Sequence, residues 1–486
     1  MATKQAVRVE RDLLGEKKVP ADAYYGVQTM RGMENFHISG VHLSQYPDAI
    51  RGLAMVKLAA ARANHDVGIL PAKILKGIEA ACRDLLDGKL HEQFALDVFQ
   101  GGAGTSTNMA ANEIIANRAL EHMGHRKGEY DHCDPHDHVN LSQSTNDAYP
   151  SALHVAALLG NERLRTELAE LVAAFRAKGR EFAKVLKMGR TQLQDAVPMT
   201  LGQEFEAFAR TLADEVRALE VVEGALCETN MGGTAIGTGL NAPAGYAKKC
   251  AAHLAKITGK PIRMADDLVE ATQDTQAFVL YAGILKSLAI KLSKVCNDLR
   301  LLSSGPRAGF NEINLPAMQP GSSIMPGKVN PVIPEVVNQV SFRVIGNDLT
   351  VTLAAEAGQL QLNVMEPVIA ACLLESQTLL MNASRTLRVH CVTGITANKD
   401  ACMSFVERSI GVVTALNPHI GYEAATDIAA EALRTGRGVV DLVREKGLLS
   451  EADLRRIMDP AAMTGGPPSK PARTTKKKQS KKTARR

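Results

Sequence analysis

Four stretches of this chain combine glycine with small hydroxyls and amides and carry few charges: GGAGTSTNMAANE (101–113), HVNLSQSTNDAYP (138–150), GRTQLQDAVP (189–198) and GSSIMPGKVNP (321–331). Between them they offer Thr105, Ser144, Thr145, Asn146, Thr191, Gln192, Ser322, Ser323 and Asn330 around a single lysine, Lys328. Hydroxyls, amides and one ammonium are what carboxylate oxygens accept hydrogen bonds from, so the inventory fits a small acidic substrate. Any one stretch could simply cap a helix, since Ser, Thr, Asn and Asp are favoured there. Four with the same chemistry, set between long helical segments, point instead to a polar pocket at the end of a bundle. A lysine is ordinarily solvated, but Lys328 sits between Gly327 and Val329, just before an Asn-Pro, in a loop that can close on a ligand.

Other chemistries are excluded by spacing. The 321–331 loop is not a phosphate-binding P-loop: five residues separate Gly321 from Gly327, and Val329 follows the lysine where Ser or Thr is required. No HExxH or GxSxG motif occurs. The eight cysteines show no CxxC and no ligand-like spacing, which reads as buried free thiols in a reducing compartment. GTAIGTGLN (233–241) lacks the strand and acidic partner of a dinucleotide site and reads as a break between bundle helices.

The elements that must position these stretches are helical. Leu201, Phe205, Phe208, Leu212, Val216, Leu219, Val222 and Leu226 recur every three or four residues, as do Phe278, Tyr281, Leu285, Leu288, Leu292, Val295 and Leu299. Further long helices are expected at about 151–185, 333–358 and 365–391. Aromatics make up only 4% and Trp is absent, so the core rests on aliphatic side chains, which favours helices. The predicted architecture is mainly α: a mixed, mostly helical region 1–140, a central long-helix bundle 141–399, a small helical piece 400–465 and a basic tail 466–486. Several helices are apolar on more than one face, which predicts burial against other subunits.

The net charge of +5 is set by that tail. Residues 470–486 hold nine Lys or Arg and no acid; the remaining 48 basic side chains face 52 acidic ones, leaving the body near −4. The tail reads as disordered; a solvated appendage is the plainer reading of it, and polyanion or nucleic-acid contact the functional one. No apolar run approaches membrane-spanning length and the first residues lack a signal-peptide core, so a cytoplasmic protein with no membrane partner is expected.

Taken together, the four stretches resemble the signatures of the fumarase/aspartase superfamily, lyases that cleave a C–N or C–O bond and release fumarate. The resemblance runs from about residue 8 to 460. GKVNP points to the fumarase/aspartase branch within it. Class II fumarases typically read GRTHLQDA where this chain reads GRTQLQDA; imidazole can exchange a proton with water, whereas the Gln192 amide can only orient a leaving amine. The resemblance therefore implies elimination of ammonia from L-aspartate, with fumarate hydration or a non-catalytic binding protein on the same fold as alternatives. It implies Ser322 as the base in its alkoxide form. The substrate's β-carboxylate falls to Thr105, Ser144, Thr145 and Ser323, and its α-carboxylate to Lys328, Asn330 and Thr191. Asn146 and Gln192 lie near the amine, and Glu335 matches a glutamate that supports the fumarase histidine. The family fold is a three-domain helical chain whose central bundles merge in a homotetramer, each site drawing loops from three subunits. No cofactor or metal is required; magnesium activation is known in the family, but no carboxylate cluster marks a site here. Two departures are visible. NMAANE replaces the usual NMNANE, an adjustment expected behind the site at Ala110. DPHD (134–137) replaces the fumarase HPND, so a secondary carboxylate site is not carried over.

Overall fold

The computed structural model describes residues 6–464, so the basic tail lies outside the described residues. The helices fall where the apolar periodicity put them, at Thr145–Glu181, Leu201–Val221, Gln276–Leu302, Val332–Glu356 and Glu366–His390. The described strands form four two-stranded pairs. The mainly helical reading holds. By packing, the described residues divide into two units that are discontinuous in sequence, one of 6–172, 210–298 and 332–390, the other of 173–209, 299–331 and 391–464. The long helix Thr145–Glu181 contributes residues to both.

In the first unit, buried amides brace the bundle helices. Gln377 donates to the Ala157 carbonyl at 2.8 Å and pairs with the Tyr281 hydroxyl at 2.6 Å. Asn161 reaches the Leu219 carbonyl at 2.8 Å, and Asn347 reaches Ser376 Oγ at 3.0 Å. Each bond satisfies a polar group that would otherwise be stranded among Leu, Ala and Val, and so fixes the helices' register. Shorter helices, among them Pro47–Asp66, Ala72–Leu86, Thr105–His122 and Tyr246–Thr258, also belong to this unit.

The second unit has two apolar centres. Phe175, Phe182 and Phe205 form one, with ring centroids 5.2–6.1 Å apart. The other gathers Val406, Leu416, Leu442 and Leu454 of the C-terminal helices onto Leu186 and Met188. These last two belong to a feature that sequence reasoning took for a polar loop. Residues 186–200 form an antiparallel hairpin, Leu186–Thr191 with Gln194–Thr200, closed by a two-residue turn at Gln192 and Leu193. Both turn residues have positive φ (53° and 61°), the combination a two-residue type I′ hairpin turn demands.

All eight cysteines are free and buried, as their scattered spacing predicted.

Candidate active site

Two of the four stretches meet inside the first unit. Thr105 opens the helix Thr105–His122, preceded by Gly104 at φ 88°. A Cβ on Gly104 would lie 2.6 Å from the Tyr149 ring, so only glycine lets the first stretch close on the second. Asn108 donates to Thr145 Oγ1 at 3.1 Å and to Asn140 Oδ1 at 3.2 Å, and Asn112 donates to the same Asn140 oxygen at 3.1 Å. Ser144 starts the next helix: its amide donates to Asp147 Oδ1 at 2.9 Å and its Oγ accepts from the Asn146 amide at 3.2 Å. Thr105, Ser144, Thr145 and Asn146 thus lie on two helix starts cross-linked by asparagines, where the helix dipoles favour an anion.

Two buried charges hold this arrangement. Lys57 is fully buried, and its Nζ donates to Gln143 Oε1 at 2.8 Å and Asn140 Oδ1 at 3.0 Å. Burial pulls its pKa down to about 7 despite the attraction of Asp147. Asp147, also fully buried, accepts from three backbone amides, those of Ser144, Gly232 and Thr234. Burial raises its pKa to about 6 against those bonds. Glu113, last residue of the first stretch, accepts from the amides of Gly26 and Gln28 and from the Thr29 hydroxyl. Burial holds Glu113 up at about 7.

The other two stretches belong to the second unit. Thr191 and Gln192 are exposed at the hairpin tip. The hairpin's base is tied down by a buried ion cluster, in which the fully buried Glu312 accepts a hydrogen bond from Arg190 and forms an ion pair with Lys187, each at 2.8 Å. Arg190 also stacks over Phe310, its guanidinium carbon 4.1 Å from the ring centre. The 321–331 loop is held at its neck: the Gly321 amide donates to the Lys328 carbonyl at 2.8 Å and Asn330 Nδ2 to the Gly321 carbonyl at 2.6 Å. A Cβ on Gly321 would lie 2.5 Å from that Lys328 oxygen. Inside the loop, Ser322 Oγ accepts from the amides of Met325 at 2.9 Å and Ile324 at 3.2 Å. Ser323 and Lys328 are exposed, and among the described residues Lys328 has no ion-pair partner. No hydrogen bond among the described residues joins the hairpin tip to this loop. Glu335 is half-buried on the first turn of Val332–Glu356, in the first unit.

A family model described as Lyase matches residues 15–346, and one described as Fumarase C C-terminus matches 412–465. The aspartate ammonia-lyase of Pseudomonas aeruginosa is 62% identical over 457 residues, 94% of this chain and 96% of that protein. The aspartate ammonia-lyase of Escherichia coli strain K12 is 55% identical, over 93% of this chain and 95% of that one. Among solved structures, a fumarate lyase:delta crystallin from Brucella melitensis bound to cobalt superposes with a TM-score of 0.92 at 56% identity, covering 94% of this chain and 99% of that one. A class II fumarase from Schistosoma mansoni gives 0.88 at 34% identity, with the same coverage.

The chain belongs to the fumarase/aspartase superfamily of lyases.

Within that superfamily frame, sequence reasoning missed the buried groups that brace the signatures. Asn140, Gln143 and Asp147 lay inside a quoted stretch but carried no expected role, and Lys57 lay outside all four. A lysine in MVKLAAARA reads as a solvated helix face; only its setting among small alanines hints at burial. GTAIGTGLN does separate helices, but it is also bound to the second signature through Asp147. Ala110 is fully buried in its helix.

Proposed function

We propose that this superfamily member removes ammonia from L-aspartate to give fumarate. The carrying observation is the 55–62% identity, over nearly the whole of both chains, to proteins named aspartate ammonia-lyase, against 34% to a class II fumarase. Gln192 at the hairpin tip supports the same choice, because an amide can hold an amine but cannot shuttle the proton that water chemistry needs.

In the proposed mechanism, Ser322 as its alkoxide takes the Cβ proton. The two amides already directed at its Oγ favour the anionic form, as an oxyanion hole does. The Cβ electron pair delocalises onto the β-carboxylate, giving an aci-carboxylate dianion. Thr105, Ser144, Thr145 and Ser323 are the proposed donors to it, each contributing on the order of 10²–10³ in rate. The pair then forms the C=C bond as the Cα–N bond breaks, and the nitrogen leaves as neutral ammonia. Lys328, Asn330 and Thr191 are assigned to the α-carboxylate and Gln192 to the amine. Asn330 already closes the loop neck through its side chain, so in this reading its contribution is shared between loop and ligand. Glu335 is assigned a supporting role.

The proposed route needs no cofactor, since each developing charge has a donor in the chain. Among the described residues no group of three or more His, Cys, Asp or Glu is arranged to hold a metal ion.

A homotetramer with sites drawn from three subunits is the proposed assembly. Leu280, Ile290, Phe342, Leu349 and Leu353 on bundle helices are 48–64% exposed in the single chain, which supports a further helical partner. Among the described residues no helix is long and apolar enough to cross a membrane; a cytoplasmic location is proposed. The basic tail is proposed to contact polyanions, to be checked by salt-dependent retention on heparin with and without 466–486. The central test follows the ultraviolet absorbance of fumarate with L-aspartate or L-malate as substrate. A rise with aspartate alone supports the proposal, and a rise with malate alone overturns it.

A further inference from the structure

We propose that the glycine-rich turn at 230–237 is the positioning element for the amine end of the substrate, acting through Asn146. This deepens the ammonia-lyase reading and rests on it.

Asn146 occupies the first turn of Thr145–Glu181, four residues before Pro150. In an unbroken helix the N–H of residue 150 would bond the carbonyl of 146; proline has none, so that carbonyl is left open. Asn230 fills the gap, its Nδ2 donating to Asn146 O at 2.9 Å. Asn230 is itself buried, and the same Nδ2 reaches Thr272 Oγ1 at 3.1 Å. Five residues on, the Ala235 carbonyl accepts from Asn146 Nδ2 at 2.8 Å. Between them the amides of Gly232 and Thr234 clamp Asp147, each at 3.0 Å. The Asn146 amide completes the set by donating to Ser144 Oγ.

This accounting decides which face of the Asn146 side chain is offered. A carbonyl can only accept, so the Ala235 oxygen fixes Nδ2 on its own side and turns Oδ1 the other way. Oδ1 is the one oxygen of Asn146 that no other group claims among the described residues. An acceptor presented beside a dicarboxylate site suits an ammonium N–H and disfavours a carboxylate. The turn is held in a sterically demanding form to do this: Thr234, a β-branched residue, sits at φ 56°, and a Cβ on Gly237 would lie 2.3 Å from the Leu268 carbonyl. The sequence 230–237 therefore specifies ligand chemistry without touching the ligand.

The test compares L-aspartate with succinate, which lacks only the amino group. In full-length enzyme, Asn146→Leu is expected to raise the KM for L-aspartate about 10- to 100-fold, the range for losing one hydrogen bond to a charged group, while the Ki of succinate stays within about twofold. Asn230→Ala, which loosens the turn and leaves Asn146 in place, is expected to shift the same ratio in the same direction by about tenfold. Thr234→Gly, which removes the strained side chain but keeps the N–H, provides a second turn variant should Asn230→Ala fold poorly. Equal movement of KM and Ki in the turn variants would mean a merely structural role and overturn the inference. So would weakened succinate binding in Asn146→Leu, since Nδ2 would then face a carboxylate. A wild-type enzyme that makes no fumarate from aspartate overturns the ammonia-lyase reading itself, a separate result.

Discussion

The first-unit signatures and the 321–331 loop carry similar residues and are held in opposite ways. Around Ser144 and Asn146 most polar atoms have a partner, and two fully buried groups, Lys57 and Asp147, lock the backbone from behind. The loop is fastened only at its neck and around Ser322, with Ile324 82% exposed and Met325 and Val329 about half exposed. A region whose hydrogen bonds face solvent and whose apolar side chains lack neighbours opens at low free-energy cost, whereas a buried network opens only with its surroundings. The contrast sets a preorganised region against one free to move, which fits the proposed division between binding and loop closure. Substitutions in the loop should therefore alter turnover and spare stability, and those behind the signatures should do the reverse.

The largest effect expected is at Ser322. Ser322→Ala should lower kcat by about 10²–10⁴-fold, the range for losing a positioned proton acceptor, with the melting temperature unchanged; calorimetry beside the fumarate assay checks both halves. Gly321→Ala comes next. Its Cβ meets the Lys328 carbonyl, so the neck must shift, and a displacement of about 1 Å can reduce the rate on the order of 10²-fold. A large loss of stability in this variant would erase the distinction between the two regions. Behind the signatures, Lys57→Met should show mainly in stability and its pH dependence. Because the buried lysine titrates near 7 and a free one near about 10.4, the unfolded chain binds more protons between those values, and this group's contribution to stability rises with pH across that window. The wild-type melting temperature should gain on the methionine variant from pH 7 toward 10; parallel curves would show that Lys57 is not buried as described. The smallest effects are expected from EDTA, which should leave basal turnover in place, and from thiol reagents. All eight thiols are buried, and burial raises those of Cys82, Cys133, Cys391 and Cys402 to about 12, so modification of the native enzyme should be slow until denaturant is added.

What the sequence disclosed follows from physical scale. Long helices repeat their apolar residues many times, and Leu201 to Leu219 or Phe278 to Leu299 declare themselves without tertiary information. The hairpin at 186–200 did not. LKMGRT has no alternation, since Leu186 through Gly189 are buried on consecutive positions, and Pro198 argued against a strand. Its turn uses Gln192 and Leu193 in a conformation usually given to Asn-Gly, so the local signal was missing. Among the candidate residues, small hydroxyls flanked by glycine suggested ligand donors from the sequence alone. Lys57 gave no such signal, because its partners Asn140 and Gln143 stand more than eighty positions away, and burial of a charge becomes possible only after they arrive.

Pro150 shows how little chemistry is needed to join distant parts of a chain. Withholding one hydrogen from a helical ladder leaves a single carbonyl addressed to whatever segment can supply a donor, and here the segment that answers begins at Asn230. The proline behaves as a splice site in the hydrogen-bond wiring: restoring the N–H with Pro150→Ala would give that carbonyl a local donor in competition with Asn230. An amine preference could then be tuned from a residue that neither touches the substrate nor belongs to the turn.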